Sequence, residues 1–188
     1  MIVIMGFHRS GTSLMGSLVE SAGYKIENTL KPNNLNPKGF WESVAVIAEN
    51  GRLLQQAGGD WDNPPEKEKI EKLKANKEVL NGAEAVKNPR FCLTFPCWDF
   101  KNAKVIKMIR NKYDACQSLA KGMGMTIERC LFLYSIYEER MNEYIKDNEK
   151  IEVNFEDLIQ KKVSELVEFI GNVDTALIDP TMVHMGRK

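Results

Sequence analysis

The first 23 residues constrain the fold more than any other stretch. Residues 1–5 are an unbroken apolar run ended by Gly6, short enough for a strand buried on both faces. Phe7-His8-Arg9-Ser10-Gly11 follows, and from Thr12 the period changes. Leu14, Leu18 and Ala22 recur at helical spacing, and Gly23 stands where a C-terminal cap belongs. A buried strand that feeds a helix through a glycine-bounded loop places backbone N–H groups and a helix N-terminus where a phosphate can be cradled. Arg9 adds fixed positive charge, and the hydroxyls of Ser10, Thr12 and Ser13 can donate hydrogen bonds. The competing account is a plain turn with capping Ser and Thr. An Arg followed by three hydroxyl residues around a glycine favours the anion site.

Residues 103–109 and 151–155 are further apolar, β-branched segments that read as strands, with 83–87 a weaker candidate. Between them Ile127, Cys130, Leu131, Tyr134, Tyr137, Met141 and Ile145 form one helical stripe. Ile159, Val163, Leu166, Val167 and Ile170, closed by Gly171, predict another helix. Residues 24–42, rich in Asn, Pro, Lys and Gly, read as a long loop. The charge-dense stretch 66–77 predicts a solvated helix with Ile70 and Leu73 facing inward. Strands alternating with helices argue for an α/β fold, a single-domain, P-loop-like parallel sheet flanked by helices on both faces. Ligands bind beyond the carboxyl ends of such strands. No repeat or linker divides residues 1–188, so one domain is expected.

Charge narrows the partners. Lys plus Arg equals Asp plus Glu at 26 each, so no global field draws in nucleic acid or an anionic membrane, and a polyanion must be met by a local cluster. Cys92, Cys97, Cys116 and Cys130 contain no CxxC pair, and the two histidines, His8 and His184, lie far from them. Four reduced, mostly buried thiols are expected, with neither a zinc site nor a disulfide framework. No run is long enough to span a membrane, and the opening residues as far as Gly6 form neither a basic leader nor an apolar stretch long enough for secretion, so a cytoplasmic home is expected.

The spacing from Gly6 to Ser13 matches the triphosphatase loop Gly-x-x-x-x-Gly-Lys-Ser/Thr except that Thr12 stands in place of the Lys. No strand ends in the Asp that would hold Mg²⁺. The loop suits a phosphate and not the handling of a triphosphate. Arg9-Ser10-Gly11-Thr12-Ser13 resembles the 5′-phosphosulfate loop of sulfotransferases that use PAPS (3′-phosphoadenosine 5′-phosphosulfate). Residues 105–118 resemble the 3′-phosphate motif of the same family, in which an Arg ends a strand and a Ser follows eight positions later, here Arg110 and Ser118. An Arg at a strand end and a Ser on the next helix can converge on one phosphate, by fork geometry and by a short hydrogen bond.

Three more blocks extend the resemblance, which reaches about residue 170. Lys87-Asn88-Pro89-Arg90 resembles the segment that brings a Lys beside the transferring sulfate. Phe155-Glu156-Asp157-Leu158 resembles the junction usually written Tyr-Glu-Asp-Leu, whose aromatic lies near the adenine. Asn36-Pro37-Lys38-Gly39-Phe40-Trp41-Glu42 is similar to a segment of compact bacterial and archaeal-type members. There are departures. Leu14 stands where the phenol and steroid enzymes stack a Trp on adenine, and Pro89 stands where they carry a catalytic His. The C-terminal glycine-rich clamp shrinks to Gly186-Arg187-Lys188.

The resemblance implies transfer of a sulfuryl group from PAPS to an acceptor hydroxyl or amine, with release of PAP and without a metal. It assigns Arg9 and Lys87 to the charge that builds on the leaving and transferring groups. Ser10, Gly11, Thr12 and Ser13 would hold the 5′-phosphate, Arg110 and Ser118 the 3′-phosphate, and Phe155 and Arg187 the rest of the nucleotide. Glu42 matches the placement of a catalytic base in branches that lack the His, with His8 as runner-up. His184 lies outside every motif. A small-molecule or glycan acceptor would enter beside residues 24–82, where Phe40, Trp41 and Trp61, with Phe91, offer flat apolar surface, while Trp98 is expected in the core. No feature specifies an oligomeric state. A nucleotide kinase with a degenerate loop and a non-catalytic PAP- or PAPS-binding protein remain as alternatives.

Overall fold

The computed structural model describes residues 1–33 and 36–181. Strands β1 (Ile2–Gly6), β2 (Ala85–Lys87), β3 (Lys104–Ile109) and β4 (Lys150–Asn154) form one sheet in the order β2-β1-β3-β4, every neighbouring pair parallel. Parallel neighbours require crossovers, and helices supply them. Between β1 and β2 the chain makes α1 (Thr12–Ser21), α2 (Val44–Gln56) and the single-turn α3 (Lys67–Ile70). The short α4 (Phe91–Thr94) precedes β3, and α5 (Lys112–Met123) with α6 (Ile127–Tyr144) leads to β4. α7 (Phe155–Leu158) and α8 (Ser164–Ile170) follow.

All five residues of β1 are buried. Its pleat sends Ile2 and Ile4 into one core, with Met15, Leu18 and Val19 of α1 and Leu166 and Ile170 of α8. Val3 and Met5 enter the core on the other face, against Leu53, Leu54, Phe91, Leu133 and Tyr137. A strand with an apolar layer on each side has no wet face to mark with polar residues, hence its continuous apolar run. The expected α/β architecture, with helices on both faces of a parallel sheet, is the one observed.

Two local expectations are corrected. Residues 66–77 do not form one helix: α3 ends at Ile70, and a 3₁₀ turn follows at Lys77–Leu80. Ile70 is fully buried and Leu73 packs on the same core, so the inward face was read correctly but two apolar anchors hold less than a helix. Residues 159–170 are also broken. The N–H groups of Lys161 and Lys162 close on the carbonyls of Leu158 and Asp157, and Lys161 takes φ 60°, a helix-ending motif made without its usual glycine. The four cysteines are buried free thiols, and burial pushes Cys92 up to about 12 and Cys97 and Cys116 to about 11. No described helix is long and apolar enough to cross a membrane.

Candidate active site

The carboxyl ends of the strands open onto one edge of the sheet, and a sequence motif leaves each strand there. Gly6 pairs with Met108, Ile4 with Lys87 and Ile109 with Asn154, so the loop after β1, Lys87, Arg110 and Phe155 are neighbours by register. The loop between β1 and α1 is tight, with Arg9 at φ 66° and Gly11 at φ 85°. Gly11 is required twice. Its backbone is left-handed, and a Cβ there would lie 2.3 Å from Cδ2 of Phe155. No side chain caps α1, which leaves its first N–H groups for another partner. Ser10 Oγ is buried and has no hydrogen-bond partner among the described residues. An orphaned hydroxyl inside such a loop fits an absent oxyanion.

The two phosphate motifs meet. Arg9 Nε donates to Ser118 Oγ at 3.0 Å, and Arg110 donates through Nη1 to the Arg9 carbonyl at 2.7 Å. The Arg110 guanidinium also lies 4.6 Å over the Phe155 ring. Asparagines after the strand ends set the exits: Asn111 accepts from Tyr113 and Asp114 N–H to start α5, and Asn154 accepts from Glu156 and Asp157 N–H to start α7. The N–H of Asn111 in turn donates to Glu156 at 3.2 Å, tying the two exits together.

Deeper in the same cleft Lys87 Nζ donates to Glu42 Oε1 at 2.5 Å and to Ser13 Oγ at 3.2 Å. Asn88 Nδ2 donates to Glu42 Oε2 at 2.7 Å, and Asn36 Nδ2 to Ser13 Oγ at 3.0 Å. Burial pushes the Lys87 ammonium below its ordinary range; Glu42 pulls it back up and Arg9 lowers it further. Glu42 sits just before Ser43, whose hydroxyl caps α2, and its carbonyl accepts from the N–H groups of Thr29 and Leu30. His8 also lines the cleft, its Nε2 3.4 Å from Tyr137 Oη. Burial, then the charges of Arg90, Lys87 and Arg9, lower His8 to about 3.

The structure thus brings together Arg9, Gly11, Thr12, Ser13, Glu42, Lys87, Arg110 and Phe155 around one cleft, with Ser118 bonded to Arg9 and Ser10 buried within the loop. Leu14 and Pro89, which stand in place of the Trp and His of the phenol and steroid enzymes, also line the cleft. Arg187 and His184 lie outside the described residues. The aromatic expectations divide. Phe40 lines the cleft, and Trp61 packs on His8 with ring centroids 4.8 Å apart. Phe91 is fully buried against Trp98 and Phe100 and is core, not an acceptor surface; Trp98 is core as expected. Trp41 takes φ 51° and turns the other way: its Nε1 donates to Glu20 at 2.8 Å, and its side chain lines a second cavity of about 390 Å³. That cavity shares Ser13, Leu14, Asn36 and Phe155 with the first and is walled by Trp41, Ile159 and Leu177. Asn36 and Asn88 both sit inside blocks that the sequence singles out, but nothing in those blocks gives either a role; the structure does, through Ser13 and Glu42.

A sulfotransferase domain from the curacin biosynthetic pathway has a similar structure, with a TM-score of 0.51 over 95% of this chain and 76% of its own, at 14% sequence identity. The chain therefore has a sulfotransferase-like fold. No protein-family model and no curated protein matches the sequence.

Proposed function

We propose that the protein transfers a sulfuryl group from PAPS to an acceptor and releases PAP. The observation that carries this reading is the Arg9–Ser118 hydrogen bond with Arg110 on the Arg9 carbonyl. Two motifs a hundred residues apart make one basic cradle beside the Lys87–Glu42 pair. Arg110 and Ser118 hold the 3′-phosphate; Ser10, Thr12, Ser13 and the start of α1 hold the 5′-phosphate. The largely apolar cavity beside Phe155 takes the adenine, with Leu14, Trp41 and Phe155 as its contacts in place of the family's Trp and Tyr at positions 14 and 155. In the transfer, the bond from sulfur to the 5′-phosphate oxygen breaks as a bond from sulfur to the acceptor oxygen forms. Lys87 and Arg9 stabilise the charge that builds on the leaving oxygen, and Glu42 takes the acceptor proton.

Calorimetry without Mg²⁺ tests the nucleotide. Charge-assisted pairing of the 3′-phosphate, which ADP and AMP both lack, is worth roughly 1.5–3 kcal/mol, so PAP is expected to bind about ten to a hundred times more tightly than either. The Arg110→Ala variant is expected to lose that preference. Equal affinity for PAP and ADP sinks the assignment, and binding that requires Mg²⁺ favours a nucleotide kinase. Labelled PAPS with a panel of phenol, glycan, lipid and peptide acceptors then identifies the acceptor class.

A further inference from the structure

Behind the cleft lies a buried polar chain that the proposed chemistry does not use directly. Asn50 on α2 is fully buried and Asn88, just after β2, nearly so. Trp98 Nε1 donates to Asn50 Oδ1 at 3.0 Å, and Thr94 Oγ1 reaches the same oxygen at 2.7 Å. Asn50 Nδ2 donates to Asn88 Oδ1 at 3.3 Å. That oxygen also accepts from the Arg90 N–H at 2.9 Å. Asn88 Nδ2 then donates to Glu42 Oε2 at 2.7 Å.

The direction of this chain is fixed by chemistry. An indole N–H can only donate, so the Asn50 end that meets Trp98 must be its oxygen, and the amide nitrogen must face Asn88. A backbone N–H can likewise only donate, so the Arg90 N–H and Asn50 Nδ2 both demand the Asn88 oxygen. The Asn88 nitrogen is left to face Glu42. Amides that could flip freely in isolation are locked end to end by two donor-only groups. We infer that Asn50 and Asn88 are positioning residues for Glu42, through which Trp98 and the Arg90 N–H fix the carboxylate in the orientation that meets both Lys87 and the cleft. The inference rests on the reading of Glu42 as the base.

The Asn88→Asp variant keeps the acceptor for Arg90 and Asn50 but removes the donor to Glu42. The distal Trp98→Phe variant removes the indole N–H outside the cleft. Both are measured as PAP release from PAPS with the acceptor that the panel identifies, alone and combined with Glu42→Gln. Asn88→Asp is expected to lower kcat by about 10–100-fold and Trp98→Phe by several-fold, with the Kd for PAP within two-fold of the parent. Neither is expected to lower kcat further once Glu42 is Gln, whereas damage to the fold would cost the same in both backgrounds. Additive losses overturn the proposal. If Glu42→Gln alone keeps the parental rate, the base reading fails and the positioning role with it; if it is slow while Asn88→Asp is parental, only the positioning role fails. A second measurement needs no substrate. In ¹⁵N–¹H spectra of the free protein, Trp98→Phe is expected to shift the Asn88 side-chain amide signals, and unchanged signals break the chain.

Discussion

Lys87 and Glu42 are both buried, a costly place for two charges. Each would be expensive to strip of water alone, and the 2.5 Å contact offsets part of that expense. Removing one partner leaves the other stranded. The Lys87→Met variant is expected to lose about 3–5 kcal/mol of stability in urea denaturation, and Lys87→Met/Glu42→Gln to recover a substantial part of it. Equal losses in the single and double variants would mean that the pair contributes nothing as a pair. On activity the two residues divide their work. Glu42→Gln keeps size and hydrogen bonding, and is expected to cut sulfuryl transfer by about 10²-fold with PAP affinity near the parent's. The Arg9→Ala variant is expected to lower turnover more than PAP binding, since its charge matters most as the leaving oxygen develops its own; equal losses would make Arg9 a ground-state anchor.

At the scale of elements, the loop between β1 and α1 depends on α7, which follows it by over 140 residues. The Phe155 ring fills the space where a side chain on Gly11 would go, and Arg110 lies over the same ring. Gly11→Ala therefore meets two obstacles, φ 85° and a ring 2.3 Å away. It is expected to destabilise the protein by about 1–3 kcal/mol and to weaken PAP binding at least ten-fold. Adding Phe155→Leu removes the collision but not the dihedral strain, so part of the stability and less of the binding should return. A Gly11→Ala protein with parental PAP affinity would show that the loop does not need its tight form. What was legible in the sequence follows the same division. The β1 run, the loop after it and α1 are written in contiguous residues and are legible there, whereas the hydrogen bond that Ser118 accepts from Arg9, over a hundred residues away, is not. The break at Lys161 was hidden because a lysine occupies the left-handed position that glycine usually marks. Trp41 and Phe91 were placed on the acceptor side because their neighbours are, whereas a positive φ turns one away and the Trp98–Phe100 stack buries the other. The Asn50–Asn88 chain joins α2, the end of β2 and Trp98, and no local pattern announces a contact of that range.

Across the whole molecule, the cations gathered at the strand ends act on a histidine and through it on stability. His8 sits between the cleft and the Trp61–Tyr137 wall, lowered to about 3 by burial first and then by Arg90, Lys87 and Arg9. The Tyr137 hydroxyl donates to the Trp61 carbonyl at 2.8 Å, so its contact with His8 is made by the Nε2–H of a neutral ring. In the unfolded chain the same imidazole titrates near its ordinary 6.5. Between those two values the unfolded state binds a proton that the native state refuses, so stability rises with pH across the window and falls as pH drops from about 7 towards 3. At pH 5 this one group accounts for at most about 2 kcal/mol of lost stability. The His8→Gln variant keeps a nitrogen donor for Tyr137 and removes the titration. Carboxylates held low by hydrogen bonds, such as Glu49 beside Arg52 and Glu27 beside Ser43 and Asn81, also lose stability in acid, but they do so in both proteins and cancel in the difference. The urea midpoint of His8→Gln is therefore expected to fall less steeply than the parent's between pH 7 and pH 4. Bound PAP should flatten the parental curve as well, because its phosphates offset the charges of Arg9 and Lys87; it cannot abolish the slope, since burial is the larger cause. Parallel curves for the parent and His8→Gln would mean that His8 takes up its proton over the same pH range in the native protein as in the unfolded chain, and that neither burial nor the cations beside it hold the ring neutral.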